Sequence, residues 1–323
     1  MKQRIFALLL AAFLLCETAA AAPSYLIPGG GTVGIELFTQ GLLVTQVADS
    51  SPAAAAGIQI GDRLLRANGQ TLTKAEQLAA LAAEGRAIVL STERNGKPAE
   101  YLLTPEQTPD GLRLGLFLRD HIAGIGTVTY YDPLTGDFGA LGHGVGDTQS
   151  ETLLPISAGA LIASEVTETV RGRRGSPGAL KGSFDPENIL GTVSANTEHG
   201  IFGTVSEIPL RPAVPLASPD EIRLGEAEIY ANIEGTAVER YSVRIDRLFP
   251  DAKNGRNLLL TVTDKRLLEK TGGIVQGMSG SPIIQNGRLV GAVTHVFVAD
   301  PSRGYAVSIQ DMLSSAGIPD LAA

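Results

Sequence analysis

The sequence predicts a mainly β protein of two domains, and three observations carry that expectation. With 323 residues, 44% hydrophobic and 19% charged, the chain has ordinary globular composition and is long enough for two cores. Gly (38) and Pro (18) are plentiful, aromatic residues make up only 5% and Trp is absent, which favours turns, short strands and aliphatic cores over long helices. From Ile122 onward short apolar runs alternate with Gly, Asp-Pro and Asn-Gly punctuation, the pattern of an all-β sandwich or barrel. The formal charge of −8 would repel phosphates, so general nucleic-acid binding is excluded.

The first element, residues 1–22, has the layout of a secretory signal: Lys2 and Arg4, the apolar run Ile5 to Leu15, then the small residues Ala19 to Ala22. The run is short for a spanning helix, which needs roughly 20 residues, yet Ala19 to Ala22 would extend it. Cleavage near Ala20 to Ala22 and retention as a membrane anchor both remain open, and either places the protein outside the cytoplasm. Cys16 is the single cysteine, and Leu15 before it stands where a lipoprotein signal has a small residue. A mature chain starting after Cys16 has no disulfide, thiol nucleophile or thiolate metal site.

The next unit is expected at 28–108. It contains Gly31-Thr32-Val33-Gly34-Ile35-Glu36-Leu37, then Ser51-Pro52-Ala53 through Gly57-Ile58, then Gly61-Asp62-Arg63-Leu64-Leu65 and Asn68-Gly69. That order and spacing resembles PDZ domains, small α+β sandwiches. Thr73 to Glu76 has capping-box spacing, with Leu78, Leu81 and Ala82 on one face, so a helix is expected from Lys74 to Glu84. Asn95-Gly96 joins two strand-like runs. In PDZ domains a peptide adds as a strand beside such a helix, and the amides of a glycine-rich loop hold a carboxylate. The resemblance implies that Gly31, Thr32, Val33, Gly34 and Ile35 form this loop. The implied partner is a peptide of unspecified sequence, either from another protein or from this chain itself.

The last unit is expected at 112–323. Gly277-Met278-Ser279-Gly280-Ser281-Pro282 followed by Ile283-Ile284 and the Asn286-Gly287 turn resembles the nucleophile loop of chymotrypsin-like proteases, which are double β-barrels. In that pattern Ser279 is the nucleophile, the amides of Gly277 and Ser279 hold the oxyanion, and Ser281 is the competitor. A serine hydroxyl needs a base. His143 ends an apolar strand at glycines, where its imidazole can project into a cleft. His295 lies inside the run after the serine and reads as a core histidine, while His121 and His199 sit in polar surroundings. Arg171 to Gly178, basic and glycine-rich, reads as a solvated hairpin tip.

Tyr131-Asp132-Pro133, Phe138 to His143, Asn196-Thr197-Glu198 before Gly200 to Gly203, Thr271 to Pro282 and Gly291 to Phe297 together resemble the SpoIVB (stage IV sporulation protein B) peptidases, which also carry a preceding PDZ domain. The resemblance implies a triad of Ser279, His143 and Asp264, with Asp264 orienting the histidine and with Asp246 and Asp147 as alternatives. It implies serine endopeptidase activity without metal or organic cofactor. It further implies a place between the forespore membranes, where cleavage of a partner of an intramembrane protease complex activates a mother-cell sigma factor. Only a few residues separate the leader from the PDZ-like segment, so the family's long N-terminal extension is expected to be absent or much reduced here. Two rival classes remain, a PDZ scaffold with an inactive protease-like domain and an HtrA-like quality-control protease. Against the second, the PDZ segment here precedes the protease segment.

Overall fold

The computed structural model describes residues 23–146, 153–252 and 254–318; the expected leader lies outside them. Strands with one apolar face dominate. In Glu239–Leu248 the residues Tyr241, Val243 and Ile245 are buried while Ser242 and Arg244 are exposed, the two-residue period of a strand covering a core. Gly225–Ala231, Glu239–Leu248, Leu258–Val262, Asp300–Ser308, Arg288–Phe297 and Pro282–Gln285 pair in that order and close into a barrel. Ile229, Val243, Leu260, Ile283 and Val290 lie in its core.

A second ring precedes it. Thr32–Val47, Leu116–Tyr131, Asp137–Ala140, Gly200–Val205, Ala179–Thr197 and Ile156–Val170 pair in succession, and the last returns to the first. Val128, Phe138, Leu161 and Ile201 fill its interior. Closure removes the exposed edges that an open sheet would leave. The expected double β-barrel is the observed architecture.

The small unit is inserted into this first barrel. Thr32 to Phe38 pairs with Thr127 to His121 on one side, and Val33 to Phe38 pairs with Ala163 to Ala158 on the other. After a register shift, Leu43 to Val47 pairs with Arg119 to Leu116, while Leu42 and Leu43 pair with Leu64 and Arg63. Thus the chain enters the insertion on one long strand and leaves on its antiparallel neighbour. Leu42, Leu64, Leu78 and Leu90 form a separate core there. Asp62, fully buried, is held by Arg94 through Nε at 2.5 Å and NH2 at 2.7 Å, so the buried charge is paired.

Two expectations are corrected. Gly31, Thr32, Val33, Gly34 and Ile35 do not form a peptide-binding loop: Val33, Gly34 and Ile35 lie in a barrel strand paired on both edges, which leaves no free row of amides for a carboxylate. The boundaries 28–108 and 112–323 also assign strand halves to the wrong unit: Thr32 to Phe38, inside the first range, belongs to the first barrel, and Leu116 to Arg119, inside the second, pairs within the inserted unit.

Local signals fare better. Asn68-Gly69, Asn95-Gly96 and Asn286-Gly287 all have positive φ at both residues (50° and 80°, 51° and 76°, 51° and 76°), as a type I′ hairpin requires. The helix expected from Lys74 to Glu84 spans Ala75–Ala83, but the side chain reaching back to its start is Gln77, whose Oε1 accepts from the Thr73 and Lys74 amides at 2.7 and 2.9 Å. The basic loop is the exposed hairpin tip expected, its turn closed by the Arg173–Ser176 bridge, and its backbone is anchored. The Gly172 amide donates to Thr271, the Gly175 amide to Val298 and Arg174 Nε to Ala299, all on the second barrel.

Candidate active site

Ser279 sits on the loop between the helix Lys265–Thr271 and the strand Pro282–Gln285, with Gly277 and Gly280 both at φ +98°. A side chain at Gly280 would place its Cβ 2.0 Å from the Thr127 carbonyl oxygen and 2.6 Å from the Leu141 amide, so only glycine fits. The loop is tied to the first barrel by the strand Leu116–Tyr131. The Thr127 amide donates to the Ser279 carbonyl at 3.0 Å and Thr127 Oγ1 to the Gly277 carbonyl at 2.7 Å, while Thr129 Oγ1 donates to the Gly280 carbonyl at 2.8 Å. Both threonine side chains are buried. Among the described residues, the amides of Gly277 and Ser279 meet no acceptor. Ser279 is half-buried and its Oγ donates to the Thr294 carbonyl at 2.8 Å. The competitor Ser281 is completely buried with an unpartnered hydroxyl, which removes it from any substrate.

Thr127 also positions the histidine segment, since its carbonyl accepts from the Leu141 amide at 3.1 Å. Leu141 and Gly142 turn the chain at φ +68° and +69°, and His143 follows. His143 Nδ1 lies 2.9 Å from the Gly144 carbonyl oxygen. A carbonyl only accepts, so Nδ1 carries the proton and Nε2 the free lone pair. Burial holds the His143 pKa below the ordinary imidazole value despite that hydrogen bond.

His295, expected in the core, instead shares the cleft: its ring centroid lies 5.3 Å from that of His143. Burial, then the proximity of His143 and Arg256, push its pKa down to about 4. Ser279, His143 and His295 line one cavity of about 450 Å³ at the seam between the barrels.

The expected third member is elsewhere. Asp264 caps the helix Lys265–Thr271, accepting from the Arg266 and Leu267 amides at 2.9 and 3.4 Å, and its other oxygen meets Arg266 at 3.0 Å. Burial works against its charge, but these bonds outweigh it and leave the carboxylate below its ordinary pKa. It lines no part of the cavity, and His143 takes its orienting bond from Gly144 instead. Asp246 is bound to Thr261 and Arg244. Asp147 lies outside the described residues. His199 bonds Ser315, and His121 bonds Asp120 at 2.8 Å.

In the inserted unit the groove helix is where the sequence placed it, but the strand beside it is not the one that follows Gly31 to Ile35. Beside the helix Ala75–Ala83 lies Leu116 to Asp120: Leu116 and Leu118 pack on the core that holds Leu78 and Ala82, and the Ala75 amide donates to Asp120 Oδ2 at 3.4 Å. Among the described residues, this stretch is paired on one edge only. The overlooked signal is Leu114-Gly115-Leu116-Phe117, a second glycine-centred apolar run.

A family model for SpoIVB peptidase S55 matches residues 110–313. The chain belongs to that family. A PDZ-domain model matches residues 43–94, within the inserted unit. This SpoIVB-family chain is therefore a serine peptidase carrying a PDZ domain. Among solved structures it is similar to the Rv3671c protease of M. tuberculosis. The active form is 16% identical over 62% of this chain and 78% of that one (TM-score 0.35), and the inactive form 15% over 60% and 84% (TM-score 0.36). The PDZ domain of the SdrC-like protein (Lmo2051) from Listeria monocytogenes is 19% identical over 25% of this chain and 90% of that one (TM-score 0.23). A comparison with curated proteins finds no match.

Proposed function

We propose that this SpoIVB-family peptidase is an endopeptidase in which Ser279 is the nucleophile, His143 the general base and the amides of Gly277 and Ser279 the oxyanion hole. The observation that carries the reading is their meeting in one cleft, with Nε2 of His143 unprotonated and both amides without an acceptor. Ser279 Oγ must first turn from the Thr294 carbonyl towards His143. His143 Nε2 takes the hydroxyl proton as Oγ attacks the peptide carbonyl, and the oxyanion forms at the two amides. His143 then gives the proton to the leaving amine, leaving an acyl-enzyme; water, deprotonated by His143, attacks the acyl carbonyl, and His143 returns that proton to Ser279 Oγ as the acid leaves. The Gly144 carbonyl orients the base in place of a carboxylate. His295 shares the cleft, but with a pKa of about 4 it is the weaker proton acceptor.

The work of the enzyme lies outside the cytoplasm, between the forespore membranes, where it cleaves a partner of an intramembrane protease complex and so activates the mother-cell sigma factor. Family membership supports this role, and the leader-like residues 1–22 support export with either release or membrane tethering. The PDZ domain takes a peptide of the partner, or of this chain, between Leu116–Asp120 and the helix Ala75–Ala83. The role is tested in sporulating cells. A strain whose only copy carries Ser279→Ala should make normal amounts of the protein yet fail to activate the mother-cell sigma factor; normal activation in that strain refutes the role.

A further inference from the structure

The cavity beside Ser279 is lined from both barrels, by Leu37, Ile122 and Ile125 on one side and Ile274, Val296 and Val298 on the other. Among the described residues no Asp, Glu, Lys or Arg lines it, and the side-chain polar groups belong to His143, His295, Ser279, Thr294 and Gln276. Its volume, about 450 Å³, lies within the range of ligand pockets, roughly 300–1,000 Å³, so a whole side chain enters with room to spare. Three of its wall residues, Ile274, Val275 and Gln276, run directly into the free amide of Gly277. Two others, Thr294 and Val296, belong to the strand whose Thr294 carbonyl holds Ser279 Oγ. A peptide whose carbonyl reaches Ser279 and Gly277 therefore has its adjoining side chain next to apolar walls.

Gly124 stands on the same wall, in the strand Leu116–Tyr131. A Cβ built there meets nothing within 4 Å, and its backbone is outside the left-handed region, so neither sterics nor backbone conformation calls for glycine. What a side chain at this position would occupy is the open space of the cleft.

We propose that the cleft is the specificity pocket for the residue whose carbonyl is attacked, that it takes an aliphatic side chain, and that Gly124 keeps it wide enough for a branched one. The proposal rests on Ser279 being the nucleophile. An unpaired charge in such a cleft loses its hydration without gaining a partner. Among apolar side chains, one methylene more or less changes kcat/KM by about 10- to 200-fold.

The full chain is treated with a small alkyl fluorophosphonate and with aminophosphonate diphenyl esters bearing leucine, valine, alanine, lysine or aspartate side chains, and second-order labelling rates are measured. The pocket predicts that the leucine or valine ester labels fastest, and at least about 100-fold faster than the lysine and aspartate esters. In Gly124→Leu the leucine-to-alanine rate ratio should fall by about 10- to 200-fold. In Gly124→Asp the lysine ester should gain on the leucine ester. Fluorophosphonate labelling combined with lysine or aspartate esters as fast as leucine overturns the pocket alone, as does an unchanged leucine-to-alanine ratio in Gly124→Leu. No fluorophosphonate labelling of the folded wild type overturns the assignment of Ser279 and the pocket with it.

Discussion

Thr127→Val removes one hydroxyl and keeps the shape of the side chain, so its effect reads the bond from Thr127 Oγ1 to the Gly277 carbonyl. That bond is 2.7 Å long and buried, with Thr127 only 1% exposed. Losing it strands the Gly277 carbonyl without a partner, at a cost of about 1–3 kcal/mol. The same carbonyl belongs to the peptide linking Gly277 and Met278, so its release loosens the loop that aims Ser279. If the whole cost appears in the transition state, labelling by an alkyl fluorophosphonate slows by about 5- to 150-fold. Urea unfolding measures the stability change, and the labelling rate measured well below the unfolding transition reports the site. Thr127→Ser keeps the hydroxyl and should restore most of the labelling rate. A Thr127→Val protein within about 0.5 kcal/mol of wild-type stability, a difference ordinary for unremarkable surface changes, and with an unchanged labelling rate would show that this strand does not hold the nucleophile loop.

Three further outcomes follow from the geometry. Asp264→Asn keeps an N-cap acceptor of equal quality, so turnover should change less than about tenfold, whereas a triad aspartate so neutralised loses roughly 10⁴-fold; kcat measured on the variant decides between them. Replacing residues 39–120 by a short Asn-Gly turn between the paired residues Phe38 and His121 should leave a folded, probe-reactive double barrel, while a chain started at Gly111 lacks the strand Thr32–Val47 and should not fold. Circular dichroism and labelling of the two proteins check this, and a folded, reactive chain from Gly111 contradicts the insertion. The proposed base His143 acts only when neutral and burial lowers its pKa, so the acid limb of the rate profile should fall below the ordinary imidazole value of 6.5. Stability runs the same way: the unfolded chain binds more protons at His143 and His295, so stability is complete above about 6.5 and declines as pH falls from there towards about 4. An acid limb at or above 6.5 contradicts the burial of the base.

Local chemistry was readable from the residues because it depends on near neighbours. The three Asn-Gly hairpins and the helix expected after Thr73 lie where short-range signals put them. The insertion was not readable, because Thr32–Val47 runs on as one strand whose two halves serve different cores, and the junction is marked only by a lone glycine, Gly41 at φ +85°, inside the register shift. Gly31 to Ile35 carried a plausible loop pattern, yet pairing with Ile125 and Leu161, far away in sequence, made it a barrel strand. Asp264 failed for a related reason: Asp before Lys-Arg-Leu-Leu is as good a helix cap as it is a catalytic acid, and only the fold shows its oxygens turned to Arg266 and Leu267. His295 reads as a core residue from its apolar run, but the strand leaves the barrel interior beside the seam, and the ring comes to face His143.

The most direct test is to treat the folded full chain with an alkyl fluorophosphonate and map the adduct by peptide mass spectrometry. A single adduct on Ser279, absent in Ser279→Ala and formed far more slowly in His143→Ala, is the predicted result. An adduct that persists in Ser279→Ala, or a folded wild type that forms none, would contradict Ser279 and His143 as the reacting pair.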